Sequence, residues 1–228
     1  MEITYYGQSC FLFNIGDTKV LFDPFISGND LAKDIKVDEI GADYILLSHG
    51  HQDHVHDAEA IAKRTGAEIV ANWEIATWFQ NKGVEKTHPM NTGGKIKRDF
   101  GTVRMVHAVH SSSLPDGSYG GTAAGFVVKT EDKTFYFAGD TALTYDMKLI
   151  SEEYGYKIDF ALLPVGDNFT MDAEDAMIAA DFVQTNKVIA MHYDTFPYIK
   201  VDKDAVKAAA KRAGKELVML EIGQTIKL

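Results

Sequence analysis

The chain has 228 residues, of which 46% are hydrophobic and 25% charged, a composition that excludes a disordered chain. Its 33 acidic and 23 basic residues give a net charge of −10, which disfavours general binding to the phosphate backbone of nucleic acids. The single cysteine excludes an internal disulfide and fits a reducing compartment, so we predict a cytoplasmic location.

The sequence offers no boundary at which it would divide into domains. It has only five prolines, its 19 glycines are dispersed, and no repeat or low-complexity linker interrupts it. We therefore expect a single domain over residues 1–228. No apolar run approaches the roughly 18 residues of a membrane span, and the first residues lack a signal-peptide pattern, so we expect no membrane partner.

The predicted elements begin with strands and then alternate. The first half predicts strand-like segments at 3–15 and 19–25, a strand at 44–47, a helix at 57–64, a strand at 68–71 and a helix at 73–82. The second half predicts strands at 102–108, 124–129, 134–137 and 160–163, a helix at 173–184 capped by Asp172, a strand at 187–191, a helix at 201–213 and a strand at 217–222. This order predicts an α/β protein with two sheets and helices outside them.

Four potential metal ligands follow the apolar strand at 44–47 directly. They are His49, His51, Asp53 and His54, in a loop at the end of that strand. Imidazole and carboxylate groups suit zinc and related divalent metals. Four donors so close together are too many for one ion and enough to begin two sites. The alternative is a polar loop that is merely rich in histidine.

Three later residues follow predicted strands in the same way and would complete the sites. They are His110, Asp140 and His192. Asp140, in a Gly-Asp-Thr sequence, fits a turn residue equally well when taken alone. We expect structural roles for the remaining histidines, with His56 at a helix start, His88 in a loop and His107 facing away from His110.

These motifs lie in a recognisable order along nearly the whole chain. The matching segments are residues 6–10 (YGQSC), 22–25 (FDPF), 49–54 (HGHQDH), 110–113 (HSSS), 138–141 (AGDT), 163–171 (LPVGDNFTM) and 191–197 (MHYDTFP). With them the sequence resembles the metallo-β-lactamase fold superfamily of metal-dependent hydrolases, and within it the branch related to ascorbate-6-phosphate lactonase. Two departures, Asp172 where relatives often have glycine and Phe137 where some have histidine, touch none of the proposed ligands.

The resemblance implies a fold and a set of ligands. The fold would be a four-layer αββα sandwich with the site at one edge. The first metal would be held by His49, His51 and His110, the second by Asp53, His54 and His192, and Asp140 would bridge the two. Asp23 would support the histidine loop without binding a metal itself.

From these assignments we expect a metal-dependent hydrolase with two divalent ions and a bridging hydroxide. Zinc is the default, and manganese, iron, cobalt and nickel suit the same nitrogen and oxygen donors. Asp53 and Asp140 would take part in catalysis on a small ester, lactone or phosphate-ester substrate. The alternatives are a phosphodiesterase or nuclease of the same fold and a non-catalytic metal-binding protein. The sequence leaves homo-oligomerisation open.

Overall fold

The computed structural model describes all 228 residues of the chain. The strands are β1 (Glu2–Gly7), β2 (Cys10–Ile15), β3 (Thr18–Phe22), β4 (Tyr44–Leu46), β5 (Glu68–Asn72), β6 (Thr87–Met90), β7 (Lys95–Arg98), β8 (Gly101–His107), β9 (Ala124–Lys129), β10 (Thr134–Phe137), β11 (Phe160–Pro164), β12 (Lys187–Met191), β13 (Glu216–Val218) and β14 (Thr225–Lys227). The helices are α1 (Gln52–Val55), α2 (Ala58–Thr65), α3 (Trp73–Asn81), α4 (Lys148–Glu152), α5 (Ala173–Phe182) and α6 (Lys203–Arg212).

The chain forms two compact units, each built on one mixed sheet. Unit 1 comprises residues 1–92, 111–123 and 221–228, and unit 2 comprises residues 93–110 and 124–220. The fold class predicted from the sequence, two sheets with flanking helices, is confirmed. None of the helices is both long enough and apolar enough to cross a membrane.

The seven-stranded sheet of unit 1 has the order β14-β1-β2-β3-β4-β5-β6. Strands β3 to β6 are parallel, and β1 runs in the same direction as β3 because each pairs antiparallel with β2. The carboxyl ends of β1, β3, β4 and β5 therefore lie at one edge. The apolar run in β4 is buried as predicted, and Ile45 and Leu47 pack in a core with side chains of α2 and α3.

The seven-stranded sheet of unit 2 has the order β13-β12-β11-β10-β9-β8-β7. Strands β10 to β13 are parallel, and β8 shares their direction because β8 and β10 both pair antiparallel with β9. The carboxyl ends of β8, β10 and β12 thus lie at one edge of this sheet. Helix α5 begins at Asp172, whose side chain accepts a hydrogen bond from Asp175 N, as the sequence predicts.

Several elements differ from the prediction. The strand-like segment at 3–15 divides into β1 and β2 at a turn where Gly7 and Gln8 both have positive φ. The predicted strand at 217–222 is wrong beyond Val218, and the chain instead closes with β14, which pairs with β1. Strands β6, β7 and β14 and helix α4 are not predicted, because they are short and lack a long apolar pattern. His88 lies in the edge strand β6, not in a loop.

Candidate metal centre

The parallel strands of unit 1 bring several polar residues to one sheet edge. Gln8 follows β1, Asp23 follows β3, and the histidine loop follows β4. Asp53 and His54 come next, on the short helix α1. The order of strands in the sheet, rather than proximity in sequence, places these groups together.

Asp23 is fully buried and organises the histidine loop. Its Oδ1 accepts a hydrogen bond from Ser48 N at 2.8 Å, and its Oδ2 accepts from Ser48 Oγ at 2.5 Å and from His54 Nδ1 at 2.8 Å. Burial raises the pKa of the Asp23 carboxyl, and the hydrogen bonds from His54 and Ser48 oppose that rise. These are the contacts that the expected supporting role of Asp23 requires.

The same contacts determine which ring nitrogen of His54 and of His49 carries the lone pair. With Nδ1 of His54 donating to Asp23, the neutral imidazole carries its lone pair on Nε2. The Ser48 hydroxyl donates to Asp23 and therefore accepts at its oxygen from His49 Nδ1, 2.9 Å away. His49 then also presents the lone pair of Nε2.

Two histidine nitrogens of this loop face each other closely. His49 Nε2 lies 3.0 Å from His51 Nδ1, while His51 Nε2 lies 3.3 Å from Ser111 Oγ. Because Nε2 of His49 carries a lone pair, His51 Nδ1 can donate a hydrogen bond to it, and with the proton of His51 on Nε2 the same two nitrogens could bind one cation together. Two nitrogens on one tetrahedral zinc ion are about 3.3 Å apart, so the donor atoms present fit a divalent metal.

The carboxylate of Asp53 lies beside His54 and is held by the side chain of Gln8, in the turn between β1 and β2. Asp53 Oδ2 is 3.4 Å from His54 Nε2, and it accepts a hydrogen bond from Gln8 Nε2 at 2.8 Å. In unit 1 the structure thus brings together the four donors predicted from the motif, with Asp23 behind them.

Unit 2 brings together the other three predicted residues. His110, Asp140 and His192 follow β8, β10 and β12, whose carboxyl ends share one edge. Asp140 Oδ2 lies 2.9 Å from His192 Nε2 and 3.6 Å from His110 Nε2. Asp140 and His192 are 3% and 2% exposed, so this carboxylate and imidazole are almost completely removed from solvent.

The backbone around His192 is closely packed and strained. His192 has a φ of 56°, a left-handed conformation that is costly for a residue other than glycine. Its carbonyl oxygen lies 2.1 Å from the position that a Cβ on Gly166 would take. Only glycine at position 166 admits this approach.

Three further side chains of unit 1 support the histidine loop or Asp53. Ser112 Oγ, in the matched HSSS segment, accepts from Gly50 N at 3.0 Å and donates to Gly120 O at 2.9 Å, so this hydroxyl holds the loop. The sequence alone assigned no role to Ser48 and Gln8. Ser48 directly precedes the histidine loop, and Gln8 lies in the matched YGQSC segment; these positions are the only signals that the sequence gives for them.

The remaining histidines lie outside these groups. His107 Nδ1 pairs with Asp146 Oδ2 at 2.9 Å, and both side chains are partly exposed. His56 ends α1 rather than beginning the next helix, and its ring packs edge-on against Phe25 with centroids 5.9 Å apart.

Comparison with known proteins places these observations in a family. The family model of the Beta-lactamase superfamily domain matches residues 18–193. A UPF0173 metal-dependent hydrolase of Christiangramia forsetii is 55% identical, and one of Flavobacterium johnsoniae is 50% identical, each alignment covering 100% of both chains.

A solved structure agrees in fold over almost the whole chain. Igni18, a metallo hydrolase from the archaeon Ignicoccus hospitalis, superposes with a TM-score of 0.88 at 32% identity, covering 99% of this chain and 97% of its own. The chain therefore belongs to the beta-lactamase superfamily and is a metal-dependent hydrolase of the UPF0173 group.

Proposed function

We propose that this hydrolase uses two divalent metal ions to cleave a small ester, lactone or phosphate-ester substrate. His49, His51 and His110 would hold the first ion, Asp53, His54 and His192 the second, and Asp140 both. The observation that carries the proposal is the pair of ring nitrogens of His49 and His51, which face each other at 3.0 Å, with the tautomer of His49 set by Ser48 and Asp23.

A pair of bound divalent ions would lower the pKa of a water molecule toward neutrality and polarise the scissile carbonyl or phosphoryl group. The protein's own residues supply orientation. Asp23 holds His54 directly and His49 through Ser48, so neither ring can rotate without losing a buried hydrogen bond. Asp53, whose side chain is 23% exposed, is the carboxylate that can exchange a proton with substrate or solvent.

The substrate class follows from charge. The two carboxylates of Asp53 and Asp140 would only partly neutralise two dications, so the centre would favour an anionic or electron-rich group. The acidic balance of the chain, −10, argues against a large polyanion such as structured RNA. We therefore place a small molecule ahead of a nucleic acid as substrate, and we propose a cytoplasmic enzyme on the ground of its one, buried cysteine.

Metal content and activity test the proposal together. We expect protein purified without added metal, or reconstituted with zinc, to carry close to two ions per chain by mass spectrometry. Asp140→Ala should lose at least one ion and about 100-fold or more of the hydrolytic rate, because it removes a carboxylate that the proposal gives to both ions. Activity would be measured on a panel of aryl esters, lactones, phosphomonoesters and phosphodiesters.

His107→Ala is the matched control, because His107 also pairs with an aspartate in unit 2 but lies outside the proposed ligand set. It should keep both ions and full activity. Full activity and two ions in Asp140→Ala would refute the ligand set. Cleavage of phosphodiesters alone would favour the phosphodiesterase alternative, and full metal loading without any hydrolysis across the panel would favour the non-catalytic one.

A further inference from the structure

Gln8 occupies a costly position at the end of β1. It has a φ of 53° in the turn to β2, directly after Gly7 with a φ of 98°. Its side chain is fully buried, and its Oε1 has no hydrogen-bond partner. A glycine would avoid both the left-handed strain and the burial of an amide. The side chain therefore needs a compensating contact to explain its presence.

The contact is with Asp53. Gln8 Nε2 donates to Asp53 Oδ2 at 2.8 Å, across 45 positions of sequence. That same oxygen lies 3.4 Å from His54 Nε2, and the other ring nitrogen of His54 is held by Asp23. Gln8 and Asp23 thus each hold one of two neighbouring side chains that the proposal treats as ligands.

The turn itself is held rigidly, so the amide has a defined position. Tyr5 Oη donates to Gln8 O at 3.2 Å. A Cβ at Gly7 would lie 2.6 Å from Asn29 Nδ2, so the backbone of the turn packs directly against a neighbouring segment.

We propose that Gln8 is a positioning residue that orients the Asp53 carboxylate for the metal ion shared with His54. The proposal rests on the proposed function, because it assumes that Asp53 and His54 are ligands. A neutral amide suits this role, since it donates a hydrogen bond without adding charge beside the ion.

The test compares variants that separate positioning from folding. Gln8→Gly removes the amide while keeping a residue that adopts positive φ freely, and Gln8→Met removes it while keeping most of the volume. Zinc affinity would be measured by competition with a chromophoric chelator, and cobalt-loaded protein would be compared by its visible absorption spectrum. Ser9→Ala, which removes the neighbouring buried hydroxyl, is the matched control.

We expect Gln8→Gly and Gln8→Met to weaken one of two zinc equivalents by about 10- to 100-fold and to change the cobalt spectrum, while the other equivalent stays within about twofold. Ser9→Ala should leave both equivalents unchanged. The urea midpoint of Gln8→Gly should stay near that of the parent protein. In the Asp53→Ala background, Gln8→Gly should cause no further loss, because the side chain that Gln8 orients is then absent.

Wild-type affinity and spectrum in both Gln8 variants of a protein that binds two ions would overturn this inference alone. Equal weakening of both equivalents, or weakening that persists undiminished in the Asp53→Ala background, would also overturn it. A parent protein that binds no metal after reconstitution would overturn the proposed function, and this inference with it.

Discussion

At the scale of single residues, two left-handed residues lie where side chains of the candidate site leave the strands. Asp23 and His192 both have positive φ, 41° and 56°, and both directly follow a parallel strand. The left-handed conformation ends the extended backbone of the strand at each of these residues. Such residues persist only when their surroundings hold them, here by hydrogen bonds to Asp23 and by the contact between Gly166 and His192.

Gly166→Ala tests that contact. The added methyl group would clash with the His192 carbonyl, so we expect the free energy of unfolding in urea to fall by about 1–3 kcal/mol. The hydrolytic rate should fall as well, because the backbone of a proposed ligand must move. Gly41→Ala is the control, since its methyl group would meet only the flexible side chain of Lys19. Equal stability of the two variants would contradict the steric argument.

At the scale of elements, one asparagine joins helix α3 to the loop at residues 111–123. Asn72 Oδ1 caps α3 by accepting from Ile75 N at 2.9 Å, and its Nδ2 donates to Gly120 O at 2.7 Å and Thr122 O at 3.1 Å. The loop also carries Ser112, which holds the histidine loop at Gly50. Asn72 therefore stabilises both a helix and a support of the candidate site.

Asn72→Ala should cost more than the loss of a helix cap alone. We expect a fall of about 2–3 kcal/mol in the free energy of unfolding, of which the cap contributes about 1 kcal/mol. Faster cleavage of the loop near Gly117 in limited proteolysis should accompany it. Asp202→Ala removes the exposed cap of α6 and should show only the smaller loss. Identical losses in both variants would show that the bonds to Gly120 and Thr122 contribute nothing measurable.

At the scale of the whole molecule, the two units are interleaved in sequence. Unit 1 is built from three separate segments and unit 2 from two, so the chain passes between them four times. A unit assembled from distant segments must close long loops before its sheet is complete, which costs chain entropy. We therefore expect the chain to unfold as the single domain predicted from its sequence.

Cys10 provides a probe of whether the two units unfold together. It is the only cysteine, it is fully buried in unit 1, and burial raises the pKa of its thiol well above the ordinary value. Native protein at pH 8 should therefore resist thiol reagents, since the reactive thiolate is suppressed. In increasing urea, pulse labelling of Cys10 should follow the same curve as the loss of far-UV circular dichroism from both sheets. Labelling that precedes or follows that loss would indicate separate unfolding of the units.

The sequence by itself identified the candidate donors and their place in the secondary structure. His49 to His54, His110, Asp140 and His192 follow strands that hydrophobic patterning alone predicts, because such patterns and turn residues are local properties. The family resemblance is confirmed by comparison, and Asp23, which the resemblance implies as a support, contacts the histidine loop in the structure.

Only the tertiary structure decided which side chains meet and through which atoms. The link from Asp23 through Ser48 to His49, and the bond from Gln8 to Asp53, depend on which strands are neighbours in the sheet. Strand β14 pairs with β1 although the two strands lie near opposite ends of the sequence. As a result, Thr4 Oγ1 lies 2.8 Å from Thr225 Oγ1. The order of strands in a sheet depends on which apolar side chains are buried together, and these come from residues far apart in sequence. No short segment of sequence therefore predicts that order.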